Sequence, residues 1–418
     1  MVRFLHHSDI ENVYDEPDRA ARLAGLLRER DGPDSVVVGT GDDTSPGVLA
    51  LVTRGRQALD FFDAAGTRLE TFGNHDFDYG PDATRALVED SDVTWVSANV
   101  RDEAGDPFGR SEGVVPWTVE TVDGTRVGFV GVTDPATHSL NPMAAELAFD
   151  DPVAAATSAM GEAHEAGADR IVVLSHLGAG DDELARETDA DLILGGHVHT
   201  RRVERVAGTL LTRPGVNGQA VVEATLDETG AEARVLDVAD YDPEPVTALA
   251  DWLRERRRET GLDRVVGHAE RPLRRTEETI HGGESRIGNL VADAYRDAAD
   301  ADVAIQNAGG IRLGGPLVGE VTLADCIAVI PFEEPVVTVE VTGRELREAV
   351  RQMSGDAVDF GEDDWWHGHV SGMRVVYDEA TDTVESVEVG GDPLDPDRMY
   401  RVATAEYLLH SDHEFPVI

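Results

Sequence analysis

The sequence predicts an α/β protein in two units, and three observations carry that prediction. Aliphatic, β-branched runs alternate with helical stretches over residues 1–235. Those runs end in Gly, Ser, Asp or His. A break rich in proline and acid at residues 240–245 then separates this stretch from a second one of the same kind. In chain order, a strand begins almost at once, through Phe4-Leu5, and a helix follows over residues 19–30. Val36-Val37-Val38 is the next strand, residues 69–72 a further one, and residues 127–132, 171–174 and 192–194 continue the series, with a helix at 152–166. Runs that are apolar at every residue have no solvated face, so they read as strands covered on both sides. In such architectures ligands sit beyond the strand ends. Asp240-Tyr241-Asp242-Pro243-Glu244-Pro245 interrupts the pattern, and a helix over 246–260 stops at Gly261. The expected organisation is a first domain over residues 1–239, a linker and helix over 240–261, and a second α/β domain over 262–418. That second domain should hold a helix at 288–299 and strands near 303–306 and 336–341.

Composition narrows the function classes. The 418 residues exceed a single domain of roughly 100–150 residues. There are 36 basic and 82 acidic residues, a net charge of −46, and every fixed cation is an arginine because the chain has no lysine. Such a surface repels nucleic acid and anionic lipid, which disfavours a polynucleotide or membrane partner. The acids run from Asp9 to Glu414 rather than forming one tail, so the charge reads as adaptation to a salt-rich medium. At molar salt the screening length falls to about 3 Å and the repulsion among carboxylates fades. The Arg254, Arg256, Arg257 and Arg258 cluster reads as a solvated helix face. Cys326 is the single cysteine, which excludes an intrachain disulfide. No apolar run reaches the roughly 18 residues of a membrane span, and the N-terminus lacks a signal-type apolar core. The expected location is therefore a cytoplasm, and one of high salt.

The chemistry-bearing residues stand where the apolar runs end. Asp9 follows the first run, Asp42 follows the second in Gly39-Thr40-Gly41-Asp42, and Gly73-Asn74-His75-Asp76 opens the next loop. His176 follows residues 171–174, and Gly195-Gly196-His197-Val198-His199 follows residues 192–194. Singly, each is a turn carboxylate or a hydrogen-bonded histidine. Together, carboxylate, amide and imidazole donors at five strand ends suit two borderline-hard divalent cations. Paired ions about 3.5–4 Å apart neutralise a phosphate ester and activate water against it.

The order Asp, Gly-Asp, Gly-Asn-His-Asp, His, Gly-His-x-His resembles the calcineurin-like metallophosphoesterases, and Gly73-Asn74-His75-Asp76-Phe77-Asp78-Tyr79-Gly80 resembles their 5′-nucleotidase branch, with Asp76 in place of the usual Glu. Glu284-Ser285-Arg286-Ile287-Gly288-Asn289-Leu290, Asn307-Ala308-Gly309-Gly310-Ile311-Arg312 and Ile330-Pro331-Phe332 extend the resemblance through the second domain. It implies a four-layer α-β-β-α sandwich for the first domain and an α/β substrate-binding domain for the second. It further implies two divalent ions, with Mn, Zn, Co and Mg all open. Asp9, Asp42, His199 and a ligand near Glu11 would hold one ion; Asp42, Asn74, His176 and His197 would hold the other, Asp42 being shared. His75 would face the phosphate with Asp78 behind its ring. In the second domain Asn307, Gly310 and Arg312 would meet phosphate, while Phe332 and Tyr407 would clamp a nucleobase.

Four departures from the family pattern stand out. Asp9-Ile10-Glu11 replaces Asp-x-His, Pro331-Phe332-Glu333-Glu334 replaces Pro-Phe-Gly-Asn, and Ser411-Asp412-His413-Glu414-Phe415 replaces a Gly-Gly-Asp-Gly-Tyr run. His281 stands where relatives often carry an arginine. If residues 9–11 are extended, Asp9 and Glu11 point to one face and Glu11 can replace the missing imidazole. The expected activity is hydrolysis of nucleoside 5′-monophosphates, with a small nucleotide as substrate, no nucleic-acid polymer or membrane as partner, and the oligomeric state left open. The alternatives are a 2′,3′-cyclic-nucleotide phosphodiesterase, a nucleotide-sugar or small-organophosphate hydrolase, or a nucleotide-binding protein without turnover.

Overall fold

In the computed structural model the described residues are 1–357, 365–378, 381, 383–411 and 414–418. The chain divides into two compact units, Met1–Thr260 and Gly261–Ile418.

The first unit holds two six-stranded sheets. In one, Val2–His7 lies at the centre, parallel to Ser35–Gly39, which is followed outward by Thr67–Glu70 and Thr94–Trp95. On its other side Ala220–Asp227 and Gly230–Asp237 add antiparallel. In the second sheet Thr125–Thr133, Arg170–His176, Leu192–Gly195 and Thr209–Arg213 are parallel neighbours, flanked by Trp117–Val122 and Arg202–Val206. Phe4, Val36, Val38 and Leu69 of one sheet pack against Phe129, Val172, Leu174 and Leu194 of the other. The alternate residues Val130, Val173 and Ile193 turn outward onto Ala156, Ala159, Met160 and Ala163 of the helix Pro152–Glu165. On the far side, helix Gln57–Ala65 packs beside Thr67–Glu70 of the first sheet, and helix Pro17–Arg30 packs on Gln57–Ala65. Four layers follow from residues that are apolar on both faces of each central strand.

The helix Thr247–Glu259 belongs to this unit and packs on Pro17–Arg30, with the Val246 N–H donating to the Ala21 carbonyl at 3.0 Å. Its arginines pair with acids: Arg254 with Asp18 at 2.5 Å, Arg256 with Glu259 at 3.1 Å, and Arg258 with Glu255.

Among the described residues, the second unit has a four-stranded sheet in the order Val336–Thr342, Met399–Ala405, Val303–Asn307, Gly368–Ser371. Helix Arg286–Ala299 packs on it, capped by the Ser285 hydroxyl accepting from the Gly288 N–H. Val265–Arg275 and Gly314–Thr322 form a separate two-stranded ribbon. No helix among the described residues is long and apolar enough to cross a membrane.

Candidate metal centre

The site lies in the first unit, where loops from both sheets meet beyond the ends of their parallel strands. Val2–His7, Ser35–Gly39 and Thr67–Glu70 deliver Asp9, Asp42 and Asn74-His75; Arg170–His176 and Leu192–Gly195 deliver His176, His197 and His199. The His176 ring bridges the sheets, with Nδ1 2.6 Å from the Thr40 carbonyl and Nε2 3.0 Å from Asp42 Oδ2. Two glycines permit this approach. A Cβ on Gly73 would stand 2.2 Å from Asp42 Oδ1, and one on Gly196 2.3 Å from Ser8 Oγ. Asp9, Glu11, Asp42 and His197 all carry positive φ, at 50°, 42°, 55° and 72°. Left-handed backbone outside glycine costs on the order of 1–3 kcal/mol per residue and persists where the surroundings over-determine it, commonly at functional sites.

The donor atoms fall into two groups. Those of Asp42, His176 and His197 lie within 4.8 Å of one another. Nearby, His199 Nε2 is 3.2 Å from Glu11 Oε1 and 3.8 Å from Asp9 Oδ1. Asn74 is buried, and its Oδ1 has no hydrogen-bond partner among the described residues, which is the condition of a metal-facing amide oxygen. Residues 9–11 are not extended, so the condition under which Asp9 and Glu11 would share a strand face is not met. The positive φ at Asp9 and the short helical turn Glu11–Asp15 bring Glu11 to His199 instead. Imidazole nitrogens with carboxylate and amide oxygens fit two borderline-hard divalent ions.

The ionisable groups at the centre shift one another in opposite directions. Burial lowers the pKa of His176, but Asp42 and Asp9 outweigh it and hold the ring at about 10. Burial likewise raises Asp42, yet His176 and His75 hold it below the ordinary carboxylate range. Asp9 goes the other way: burial, resisted by His176 and reinforced by Asp42, lifts it to about 7. His197 is pushed down to about 3 by burial and by His176.

His75 Nδ1 lies 3.1 Å from both Asp78 oxygens. Asp78 also accepts from Ser45 Oγ at 2.7 Å and Asn141 Nδ2 at 3.0 Å. Burial opposes protonation of His75, but Asp78 and Asp42 outweigh it and raise the ring to about 9. Three further residues shape the site that strand-end reading did not select. Asp76 accepts from the N–H groups of Asp42 (2.9 Å), Gly73 (2.7 Å) and Thr44 (3.2 Å). Asn141 Nδ2 also donates to the Asn74 carbonyl at 2.7 Å, and Asp134 Oδ2 stands 3.4 Å from His197 Nε2. Asp76 was visible as a departure from a motif; Asn141 and Asp134 sit in a loop whose spacing carries no signal.

In the second unit, Asn307 ends the strand Val303–Asn307; its Nδ2 donates to Glu414 Oε2 at 2.8 Å and its Oδ1 accepts from Gln306 Nε2 at 2.8 Å. Gly310 leaves room for these amides, since a Cβ there would lie 2.5 Å from Gln306 Nε2 and 2.8 Å from Asn307 Oδ1. The Arg312 guanidinium stands 5.8 Å from the Phe332 ring centroid. Tyr407 packs partly on the core around Leu408 and Phe415, and its backbone N–H donates to Glu334. Asp412 and His413 lie outside the described residues.

Two family models match the chain: calcineurin-like phosphoesterase over residues 2–201 and 5′-nucleotidase, C-terminal domain, over residues 265–418. The trifunctional nucleotide phosphoesterase protein YfkN of Bacillus subtilis is 27% identical over 402 residues, which covers 83% of this chain and 27% of that protein. The 5′-nucleotidase of Vibrio vulnificus is 24% identical and covers 98% of this chain and 84% of its own length. A crystal structure of the 5′-nucleotidase precursor from Thermus thermophilus superposes with a TM-score of 0.80 at 25% identity, covering 100% of this chain and 91% of that one. The chain spans 27%, 34% and 51% of the length of the first three curated relatives it matches.

Proposed function

We propose that the chain is a metal-dependent phosphoester hydrolase acting on nucleotides, with nucleoside 5′-monophosphates as its substrates. The observation that carries this reading is the convergence of two donor groups beside an imidazole held by a carboxylate, where the loops of the two sheets of the first unit meet. The matching of the second unit to the 5′-nucleotidase C-terminal domain supplies the nucleotide half of the reading.

Asp9, Glu11 and His199 would hold one divalent ion, and Asn74, His176 and His197 the other, with Asp42 shared. Such ions neutralise phosphate oxygens and activate water. The chain's own residues do the rest. His75, its Nδ1 held by Asp78, would donate a hydrogen bond from Nε2 to a phosphate oxygen as charge builds there. Asp78 fixes the ring by accepting from Nδ1, and Ser45 and Asn141 fix Asp78. In the second unit Arg312 and Asn307 would grip the nucleotide's anionic part, Gly310 would allow close approach, and Phe332 and Tyr407 would stack on the base.

The test is phosphate release from a panel of nucleoside monophosphates, cyclic nucleotides and sugar phosphates, with Mn²⁺, Co²⁺, Zn²⁺ or Mg²⁺ in molar KCl. Turnover of 5′-monophosphates above the other classes is expected. Preference for cyclic nucleotides or sugar phosphates would replace this substrate assignment, and no turnover with any ion would remove the enzyme reading.

A further inference from the structure

Behind the centre lies a second group of ionisable side chains that the reaction does not use. His7, Asp43 and Glu70 are each 0% exposed, and their donor atoms lie within 4.8 Å of one another. They stand at the ends of three adjacent strands, Val2–His7, Ser35–Gly39 and Thr67–Glu70, the same strands that deliver Asp9, Asp42 and Asn74. His7 Nδ1 is 2.8 Å from Asp43 Oδ2, and His7 Nε2 is 2.9 Å from Thr67 Oγ1. The His7 ring is packed edge-on to Phe61 and stacked near Phe62. The Glu70 carboxyl faces Asp43 across the space beside Gly39. Gly39 leaves the room for it, since a Cβ there would stand 1.9 Å from Glu70 Oε2 and 2.6 Å from Asp43 Oδ2.

What these side chains hold is backbone. Glu70 Oε1 accepts from the Gly41 and Thr71 N–H groups, both at 3.0 Å. Asp43 Oδ1 accepts from the Ile10 N–H at 3.1 Å, and the Asp43 carbonyl accepts from Tyr14 Oη at 2.6 Å. The loops so held are further tied together, Asp9 N–H to the Gly41 carbonyl at 3.0 Å and Glu11 N–H to the Asp42 carbonyl at 3.2 Å. The bonds to Gly41 and Ile10 end next to residues with left-handed backbone that carry candidate ligands, and those from Asp9 and Glu11 start on such residues. Such a conformation needs outside restraint to persist.

We propose that His7, Asp43 and Glu70 are positioning residues, a buried triad that sets the backbone of Gly41-Asp42 and of Ile10 and thereby the spacing between Asp9, Glu11 and Asp42. The inference rests on the reading of Asp9, Glu11 and Asp42 as metal ligands. Outer partners of metal ligands typically govern affinity by about 10–100-fold, and here the control runs through main chain rather than through a ligand's own ring.

The test is calorimetric titration of the full chain with Mn²⁺ in molar KCl, with the melting temperature in EDTA recorded as a control on folding. The parent should take up two ions. Glu70→Ala should weaken Mn²⁺ binding by about 10-fold or more while keeping two sites. Glu70→Gln should restore most of the affinity, because an amide oxygen accepts the same two N–H groups and its NH₂ donates to Asp43. His7→Leu, which fills the space beside Phe61 and Phe62 but removes the bond to Asp43, should weaken binding like Glu70→Ala if the latter does not fold. At saturating Mn²⁺ the KM for substrate should stay within about twofold of the parent. Parent-like affinity in both Glu70→Ala and His7→Leu would overturn the proposal. So would a third ion in the parent that is lost in Glu70→Gln, since the triad would then be a metal site itself. A parent that binds no Mn²⁺ would instead remove the ligand assignment on which the proposal stands.

Discussion

Glu11 Oε1 lies 3.2 Å from His199 Nε2, joining the turn after the first strand of one sheet to the loop after Leu192–Gly195 of the other. The family pattern has an imidazole where Glu11 stands, so with Glu11 as a ligand, as proposed, the first metal position would be richer in oxygen. Glu11→Gln should raise the ion concentration needed for half-maximal activity, and Glu11→His should shift preference from Mn²⁺ or Mg²⁺ toward Zn²⁺. Activity titrated against each ion reads both effects; unchanged curves in both variants would take Glu11 out of the ligand set.

His75→Ala should lower kcat by roughly 10²–10⁴, the usual range for a positioned proton-transfer or charge-stabilising group. Asp78→Asn should lower it less, because the amide can still accept from Nδ1 but no longer favours imidazolium. Single-turnover kinetics at saturating metal separates this from weakened ion binding. A full-rate His75→Ala enzyme would contradict the role given to the ring.

Exhaustive chelation should abolish hydrolysis, and readdition of Mn²⁺ or a similar ion should restore it. Activity that survives in verified metal-free enzyme would rule out the two-ion reading.

Phe332→Ala and Tyr407→Ala should each weaken nucleotide use by about 1–3 kcal/mol if the ring stacks on a base, with little change on p-nitrophenyl phosphate. Tyr407 carries the sharper test, since it also touches the core around Phe415. An equal loss on both substrates, accompanied by a lower melting temperature, would assign that ring to packing.

Asp181 and Arg213 form a buried ion pair, Asp181 Oδ2 accepting from Arg213 Nη2 at 2.9 Å, and Asp181 Oδ1 accepts from Ser175 Oγ at 2.6 Å beside the candidate ligand His176. Asp181→Ala leaves a buried guanidinium without its carboxylate and should cost about 3–5 kcal/mol of stability. Urea unfolding in molar KCl measures it, and a loss under about 1 kcal/mol would show that water reaches the arginine. Across KCl concentrations, the parent's melting temperature should rise steeply from low salt, because 82 acidic residues face 36 basic ones. A flat profile would remove the salt-adaptation reading.

By itself the sequence determined the layered architecture, because strands such as Val36–Val38 and Ile171–Leu174 are apolar at every position and only a covered sheet accommodates that. It also marked the strand-end residues, since His75, Asp78, His176 and His199 fall in a motif order that survives any change in the intervening loops. Tertiary structure alone decided the rest. The turn at Asp9 to Glu11 depends on backbone bonds to Gly41 and Asp42 in another loop, so a local reading leaves its conformation open. His7, Asp43 and Glu70 each look like an ordinary polar residue at a strand end, and their burial follows only when three strands pair side by side. Asn141 and Asp134 become partners of Asn74, Asp78 and His197 across the space between two sheets. Residue type and spacing report what a side chain can do, whereas burial and partner choice are set jointly by many distant segments, and those are fixed only when the sheets pack.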